Sequence, residues 1–259
     1  MPATKATSRK PLKSLNAAIA QPAKKTASKS KDKFDAKRDL APGRVAEILK
    51  RLAATYPNAE CALHHRNAWE LLVATILSAQ CTDVRVNIVT PELFRQFPTP
   101  KAMAEASQPA LEEIIRSTGF YRNKAKSILG AAKKITTEFG GKVPQTLAEL
   151  TTVPGAARKT ANVVLGVAYG LAEGVVVDTH VLRISRRLHL TQATEPKQVE
   201  QDLIKIIPED HWIAYSHEII HHGRQICIAR KPKCADCTLE TVCTSGDKTW
   251  SSGKTWPND

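Results

Sequence analysis

Apolar residues recur with a helical period through most of this chain, and this pattern limits the fold more than any other feature. In residues 45–52 the apolar side chains stand three or four positions apart, on one face of a helix. The same period recurs in residues 123–139 and 162–169. The single strand-like run, Val175 to Val177, is too short and isolated to build a sheet. The sequence therefore predicts an all-α protein.

Residues that begin or end helices stand at the edges of several of these runs. Thr99 followed by Pro100 is typical of an N-cap and a first helical residue. Asp178 is placed to cap a helix that reaches Leu188, and Gly170 follows an apolar run as a C-terminal glycine does. The periodic segments are therefore expected to be separate helices joined by short turns.

The basic charge of the chain is concentrated at its N-terminus. The sequence has 38 Lys and Arg against 25 Asp and Glu, a formal net charge of +13. Residues 1–38 hold 11 of the basic and two of the acidic side chains, so they carry +9 and the remainder carries +4. Because this segment has few large apolar residues, it is predicted to be a disordered tail that can contact nucleic acid. A charge of this size favours a polyanionic partner.

Two classes of protein are excluded by composition. No apolar run approaches the roughly 18 residues that a membrane helix needs, and the N-terminus lacks the apolar core of a secretory signal. Six cysteines are too few for the disulfide scaffold of a secreted protein of this length. We therefore expect a protein of a reducing compartment with no membrane partner.

Four of the six cysteines form one cluster near the C-terminus. Cys227, Cys234, Cys237 and Cys243 have the spacing C-x6-C-x2-C-x5-C, so four thiolates can converge on one centre. The spacing alone is compatible with zinc or with an iron–sulfur cluster. Cys61 and Cys81 stand alone and are expected to be ordinary core or surface residues.

The loop between the first two of these cysteines is basic. It contains Arg230, Lys231 and Lys233, which are well placed for phosphate contacts on a loop held at both ends. They are equally compatible with a solvated charge run, or with neutralisation of a negative metal–sulfur centre.

Residues 147–169 read as two helices joined by a tight turn. Val153, Pro154 and Gly155 form the turn, which is expected to expose backbone N–H groups at the N-terminus of the second helix. Such an N-terminus binds one phosphate and is assisted by the helix dipole, but it carries no base specificity.

Lys159 and Asp178 form the candidate catalytic pair. Lys159 lies in the first turn of the second helix, where the helix dipole and Arg158 disfavour its cationic form. A neutral amine is a nucleophile that forms Schiff bases, and a nearby carboxylate can take or deliver the proton. The alternatives are an exposed helix lysine and a simple N-cap aspartate.

These features together resemble the endonuclease III family of base-excision DNA glycosylases. The similarity covers about residues 42–245 in unbroken order, and it depends on the order and spacing of the motifs rather than on any one of them. The matching pieces are Ile76-Leu77-Ser78-Ala79-Gln80 with Thr82-Asp83, Gly119 to Ala125, Val153-Pro154-Gly155, Arg158 to Val164, Val177 to Val181, His222-Gly223-Arg224 and the four clustered cysteines.

The resemblance implies two helical domains that flank a DNA-binding cleft. Residues 61–172 would form a six-helix barrel that contains the helix-hairpin-helix. Residues 39–60 and 173–244 would form the other domain, with a [4Fe–4S] cluster on the four cysteines. Residues 1–38 and 245–259 would remain as tails.

The resemblance also implies an activity and residue roles. Lys159 matches the Schiff-base nucleophile, and Asp178 matches the catalytic aspartate. Gln80 matches the residue that fills the gap left by the extruded base, and Phe120 falls on the loop that wedges the opposite strand. The full set of expected DNA contacts is Gln80, Phe120, Val153, Gly155, Ala157, Arg230, Lys231 and Lys233.

The expected function is that of a bifunctional DNA glycosylase and AP lyase. It would remove oxidised pyrimidines from double-stranded DNA, act on abasic sites and cut the strand by β-elimination. We expect a monomer at the nucleoid or in the cytoplasm of a bacterium, or in the nucleus or mitochondrion of a eukaryote.

One residue departs from the family hairpin, which usually reads L-P-G-V-G-R-K. Ala157 stands where the second glycine of that motif is expected. If this position has a positive φ, a Cβ there costs roughly 1 kcal/mol and displaces the phosphate. The departure is then expected to weaken activity or to change the substrate range, without removing the chemistry.

Three other functions are compatible with parts of the sequence. A monofunctional glycosylase of the same superfamily typically lacks the lysine and has a further C-terminal domain, whereas 16 residues follow Cys243 here. A non-catalytic iron–sulfur protein that binds DNA or transfers electrons would not need both Lys159 and Asp178. A zinc-binding architectural protein would satisfy the cysteine spacing.

Overall fold

The computed structural model describes residues 34–253. Every regular element in this part of the chain is helical, and residues 175–177 are extended chain rather than a strand. The predicted all-α fold is therefore confirmed. Within the described residues no helix is both long and apolar enough to cross a membrane.

The helices follow one another with short connections. In chain order they are α1 (Ala36–Asp39), α2 (Pro42–Thr55), α3 (Ala68–Ser78), α4 (Asp83–Gln96), α5 (Pro100–Ala104), α6 (Gln108–Ile115), α7 (Tyr121–Glu138), α8 (Leu147–Leu150), α9 (Arg158–Tyr169), α10 (Thr179–Arg187), α11 (Pro196–Ile206) and α12 (Trp212–Gln225). Short 3₁₀ turns cover Arg116–Thr118, Glu209–His211, Cys234–Asp236 and Glu240–Val242.

The first hydrophobic core is built from one continuous part of the chain, between Leu63 and Leu165. The central helix of this core is α3, which packs against α4, α7 and α9. Leu71, Leu72 and Leu77 of α3 are completely buried, because this short helix is apolar on nearly all sides.

The second hydrophobic core joins two separate parts of the chain. It combines α2 with residues 175–242, and α12 packs against both α2 and α10. Tyr215 lies in the middle of this core, where its hydroxyl group contacts Ser185 at 2.8 Å. A buried tyrosine hydroxyl needs such a partner.

The predicted N-caps are present. The Thr99 hydroxyl oxygen accepts a hydrogen bond from the Ala102 N–H at 3.1 Å at the start of α5. Asp178 caps α10, and Gly170 ends α9 with a left-handed φ of 68°. The side chains of Thr99 and Asp178 accept hydrogen bonds from N–H groups that a helix start leaves unpaired.

The folded part of the chain begins before residue 39, which corrects the boundary expected for the N-terminal tail. Phe34 packs edge-on against His189 with ring centroids 6.3 Å apart, and Asp35 caps α1. An apolar anchor and a helix cap therefore attach residues 34–38 to the body. Residues 1–33, which make up most of the expected tail, lie outside the described residues.

The described part of the expected C-terminal tail is also attached to the body. Asp247 pairs with Arg187 at 2.8 Å, and Lys248 pairs with the buried Glu240 at 3.1 Å. The Thr249 hydroxyl donates a hydrogen bond to the carbonyl of Pro232. We call residues 245–253 the C-terminal strap, and residues 254–259 lie outside the described residues.

Candidate active site and cysteine centre

A cleft with an empty volume of about 880 Å³ runs between the two hydrophobic cores. Helices α3 and α9 of the first core line one side, and α12 of the second core lines the other. Lys159 and Asp178, which are 19 positions apart in the sequence, both line this cleft. The structure thus brings the two candidate catalytic residues into one cavity.

Lys159 is presented by the hairpin turn between α8 and α9. It is the second residue of α9, and its side chain is exposed. Gly155 has a φ of 83°, and a Cβ built on it would lie 3.0 Å from Cδ1 of Ile76. The turn therefore requires glycine at this position, for its backbone conformation and for its close contact with α3.

Ala157 has no positive φ, so the strain considered for it does not arise. It is the N-cap residue of α9, with φ −61° and ψ 164°. This is extended backbone that any L-residue adopts without strain. Only Gly155 carries the left-handed conformation in the turn between α8 and α9.

The backbone donors of the turn differ from residue to residue. The Val153 N–H donates to the carbonyl of Leu150 at 3.1 Å, and the Val153 side chain is buried. Val153 therefore shapes the turn and does not offer the N–H that was expected of it. Among the described residues, the N–H groups of Gly155 and Ala157 have no hydrogen-bond acceptor, so they remain available to a phosphate.

Asp178 uses one carboxylate oxygen for structure. Oδ1 accepts hydrogen bonds from the N–H groups of His180 and Val181 at 2.7 and 2.8 Å, which caps α10. Within residues 34–253, Oδ2 has no hydrogen-bond partner. The N-cap and catalytic interpretations of Asp178 are therefore compatible, because each uses a different oxygen.

Gln80 and Phe120 share an unusual backbone conformation. Their φ angles are 54° and 48°, and both side chains are exposed, that of Phe120 by 69%. Left-handed backbone at a non-glycine residue costs about 1–2 kcal/mol and is concentrated at functional sites. Both residues lie just after helical segments, Gln80 after α3 and Phe120 after the turn Arg116–Thr118.

A buried lysine joins the two segments that precede these residues. Lys124 is 5% exposed, and its Nζ donates to the carbonyl oxygens of Leu77 and Thr118 at 2.8 Å each. Burial lowers the pKa of Lys124 below its usual range. Lys124 therefore fixes the end of α3 and the end of the Arg116–Thr118 turn relative to each other.

The sequence analysis gave no role to several polar residues of the cleft, although Asp83, Asn162 and Arg224 stand in the matching motifs. Arg224 of α12 pairs with Asp83 of α4 at 2.6 Å, across 141 positions of sequence. Burial, reinforced by the nearby His221, lowers the pKa of His217 below its usual range and favours its neutral ring. Asn162, one turn after Lys159, also lines the cleft. Their motifs mark these positions, but the contact of Asp83 with Arg224 and the place of His217 in the cleft depend on how the helices pack.

The four clustered cysteines line a second cavity, with an empty volume of about 440 Å³. None of them is in a disulfide. Within residues 34–253 no group of His, Cys, Asp or Glu side chains converges closely enough to form a single-ion site, and the four thiols are spread around the cavity wall. Four soft sulfur donors around one cavity are a donor set that suits a metal–sulfur centre.

Two side chains are placed to donate hydrogen bonds to these sulfur atoms. Arg187 Nη1 lies 3.4 Å from Cys227 Sγ, and His222 Nε2 lies 3.6 Å from Cys237 Sγ. The other ring nitrogen of His222 contacts the Tyr56 hydroxyl group at 3.0 Å. Donors of this kind are the outer partners that thiolate ligands normally have.

Arg187 also holds the backbone of the basic loop. Arg187 donates to the carbonyl oxygens of Ile228 and Ala229 at 2.9 and 3.1 Å. The following basic side chains, Arg230, Lys231 and Lys233, are all exposed. The start of the loop is therefore fixed by hydrogen bonds, and its three basic side chains are exposed to solvent.

Comparisons with known proteins give the family that this chain resembles. Residues 73–209 match the family described as "HhH-GPD superfamily base excision DNA repair protein". The endonuclease III of Synechocystis sp. is 55% identical over 202 residues, which are 78% of this chain and 92% of that protein. The endonuclease III of Escherichia coli strain K12 is 39% identical over 202 residues, which are 78% of this chain and 95% of that protein.

A solved structure described as a trapped endonuclease III–DNA covalent intermediate superposes on this fold. Its TM-score is 0.75 at 42% sequence identity. The match covers 80% of this chain and 97% of the other.

Proposed function

Since this chain belongs to the endonuclease III family of HhH-GPD base-excision DNA repair proteins, we propose that its cleft acts as a DNA glycosylase and AP lyase. The proposed substrates are oxidised pyrimidines and abasic sites in double-stranded DNA. One observation carries this proposal: Lys159 and Asp178 line the same cleft, with the amine exposed in the first turn of α9.

Lys159 is the proposed nucleophile. Its neutral amine attacks C1′ of the damaged nucleotide, and the bond from C1′ to the base breaks with its electron pair on the base, which takes up a proton. Loss of the amine proton and opening of the sugar ring leave an imine between Nζ and C1′. The imine makes the 2′-proton acidic, and its removal expels the 3′-phosphate by β-elimination. Water then hydrolyses the imine and returns the free amine.

Asp178 is the proposed proton carrier for these steps. Because Oδ1 is engaged in capping α10, Oδ2 is the oxygen that can accept the amine proton or deliver one. Capping through Oδ1 fixes the carboxylate in position and leaves Oδ2 free for proton transfer.

The proposed DNA contacts fall into two groups. The N–H groups of Gly155 and Ala157 hold one phosphate, and Arg230, Lys231 and Lys233 contact the backbone from the cysteine loop. Gln80 and Phe120 enter the space left by the extruded nucleotide, which lowers the cost of unstacking it. Their exposure and left-handed backbone support this assignment.

We propose a [4Fe–4S] cluster as the group held by Cys227, Cys234, Cys237 and Cys243. When bound, it supplies a rigid centre that ties the basic loop to the second core. The four thiols around one cavity and the donors from Arg187 and His222 support a metal–sulfur centre, and the relation to the endonuclease III family favours an iron–sulfur cluster over a single zinc ion. Iron and acid-labile sulfide in about equal amounts, without zinc, are the expected contents of the purified protein.

The two hydrophobic cores are proposed to be the two domains. Residues 61–172 would form one, and residues 39–60 with 173–244 the other, in a monomer that closes on duplex DNA. Because its substrate is the chromosome, the protein is expected at the nucleoid of a bacterial cell.

Borohydride trapping tests the activity and the nucleophile together. The protein is incubated with duplex DNA that contains one abasic or thymine-glycol site, and borohydride reduces any imine to a stable covalent adduct. Wild-type protein is expected to form the adduct, and Lys159→Ala is expected to form none. Lys133→Ala, which removes an exposed lysine of α7 away from the cleft, is the matched control and should trap as the wild type does.

The outcomes separate the alternatives. Base release without a trapped adduct would indicate a monofunctional glycosylase. Absence of both, with DNA binding retained, would indicate a non-catalytic protein. An adduct that persists in Lys159→Ala would overturn the assignment of the nucleophile.

A further inference from the structure

A buried carboxylate lies where the catalytic helix meets the second core. Glu200 belongs to α11 and is 6% exposed. Val199 and Leu203 of the same helix are buried in the second core. It accepts hydrogen bonds from Arg158 Nε at 3.0 Å, from Arg158 Nη2 at 2.8 Å and from Asn162 Nδ2 at 3.1 Å. Arg158 and Asn162 flank Lys159 on α9, which belongs to the first core.

The segment that leads to Asp178 passes over the same carboxylate. A Cβ on Gly174 would lie 2.2 Å from Glu200 Oε1 and 3.2 Å from Asn162 Nδ2. A side chain at Gly174, which has φ +155° and stands four residues before Asp178, would therefore strain the backbone and displace the Glu200 carboxylate. Glu200 thus contacts the surroundings of both catalytic residues, although it is itself absent from the residues that line the cleft.

Glu200 also fixes which way the Asn162 amide points. Because a carboxylate can only accept hydrogen bonds, Asn162 must turn Nδ2 toward it. Asn162 is 4% exposed, and its Oδ1 is buried with no partner in the described part of the chain. Asn162 lines the cleft one helical turn from Lys159, so its position is coupled to that of the candidate nucleophile.

From this geometry we infer that Glu200 is a positioning residue for the catalytic pair, acting through Arg158 and Asn162. It holds the N-terminal turn of α9 against the second core, so that Lys159 keeps a fixed position relative to Asp178. The hydrogen bonds to Glu200 also raise the pKa of the Arg158 guanidinium. This inference depends on the proposed function, since it assigns Glu200 to the reaction of Lys159.

The test compares two isosteric substitutions. Glu200→Gln replaces one acceptor oxygen by a donor that faces the N–H groups of Arg158 or Asn162. Glu70→Gln makes the same change in an equally buried carboxylate, which pairs with Arg66 at 2.6 Å and lies outside the cleft. Single-turnover cleavage of a preformed abasic site, DNA affinity and the urea midpoint are measured for both.

Glu200→Gln is expected to lower the single-turnover rate at saturating DNA roughly 10- to 100-fold, because a shift of about 1 Å at a reacting group has that effect. DNA affinity should stay within about twofold, and the protein should still be trapped by borohydride, only more slowly. Glu70→Gln should cleave at the wild-type rate. A combined Glu200→Gln/Asn162→Ala variant should be no slower than the slower single variant, because both act in one network.

Two results would overturn the inference. One is a wild-type cleavage rate in Glu200→Gln, and the other is a loss of rate in both glutamine variants in proportion to lost stability. If Glu200→Gln does not fold, Arg158→Met removes two of the three hydrogen bonds from the half-exposed side and must slow the chemical step. Failure of wild-type protein to be trapped at all would instead overturn the proposed function.

Discussion

At the scale of single residues, the hairpin turn needs glycine at one position and tolerates alanine at the other. Gly155→Ala is expected to lower the free energy of unfolding by about 1–2 kcal/mol, since it forces a Cβ into a left-handed conformation. The new Cβ also meets Ile76 and Ser127 at 3.0–3.2 Å, which moves the N–H that is proposed to bind a phosphate. Urea denaturation and affinity for abasic DNA should both reveal the loss.

Ala157→Gly is the matched variant in the same turn. Because Ala157 already has a φ of −61°, the glycine relieves no strain, and the unfolding free energy should change by less than about 0.5 kcal/mol. Cleavage of lesion DNA should stay within about twofold. A marked gain in activity would show that the alanine does hinder the phosphate, despite its relaxed backbone.

Lys124 gives a second prediction for a single residue. Lys124→Met keeps the length of the side chain but removes the two donors that connect the segments before Gln80 and Phe120. Excision of an intact damaged base should fall roughly tenfold, because Gln80 and Phe120, the residues proposed to enter the DNA, lose their fixed separation. Cleavage of a preformed abasic site should fall less, since no base has to be unstacked there.

The ratio of the two rates is the informative measurement for Lys124. Lys126→Met, on the exposed side of the same helix, should leave this ratio unchanged. Equal losses on both substrates in Lys124→Met would indicate a general loss of stability and would contradict a role in base extrusion.

At the scale of elements, the helices were predictable and their junctions were not. The apolar period and the caps Thr99 and Asp178 act over three or four residues, so their outcome can be derived from adjacent sequence. The ion pair of Arg158 with Glu200 spans 42 positions, and that of Asp83 with Arg224 spans 141. Such contacts depend on how whole helices pack, which no local spacing encodes.

In the candidate site, too, some features follow from adjacent sequence and others depend on the folded structure. The order of the motifs was sufficient to select Lys159, Asp178 and the four cysteines, because each belongs to a short pattern. The location of the positive φ, at Gly155 rather than at position 157, needed the folded turn. The occupied N–H of Val153 likewise depends on a carbonyl of the preceding helix.

The C-terminal strap is the element whose removal tests the cysteine centre. Ending the chain after Thr244 removes Lys248 and Ser252, which donate hydrogen bonds to the buried carboxylate of Glu240. It also removes Asp247, which holds Arg187 beside Cys227. The unfolding free energy should fall by about 1–3 kcal/mol, the cost of leaving a buried polar group without partners.

Two measurements follow for the strap variant. The urea midpoint should fall, and iron should be released faster under mild oxidation than from the full chain. Ending the chain after Gly253 keeps all these contacts and serves as the control. Equal iron release from both truncated chains would show that the strap does not protect the centre.

At the scale of the whole molecule, the distribution of charge predicts that non-specific DNA binding and lesion binding can be separated. Residues 1–33 carry nine basic and one acidic side chain, so they contribute +8 of the formal +13. The remaining body is only mildly basic, so the proposed DNA contacts of the hairpin N–H groups and the basic loop carry most of its binding. Non-specific binding and lesion cleavage should therefore depend on different parts of the chain.

Deleting residues 1–33 tests this separation. Affinity for undamaged DNA should fall and become less sensitive to salt, by about 0.9 in the log–log slope for each phosphate that the shortened protein no longer neutralises. Cleavage of lesion DNA at low salt should remain close to that of the full chain, since the cleft and the hairpin are intact. Loss of low-salt cleavage would mean that the N-terminal segment takes part in the reaction.

The position of the cut decides whether that experiment can be interpreted. A deletion that extends through Asp39 also removes Phe34 from His189, and it removes the carbonyl that accepts from the fully buried guanidinium of Arg44. This longer deletion should lower the free energy of unfolding by about 1–3 kcal/mol, while the shorter one should not change it. Comparing the urea midpoints of the two chains separates the electrostatic contribution of residues 1–33 from the structural contribution of residues 34–39.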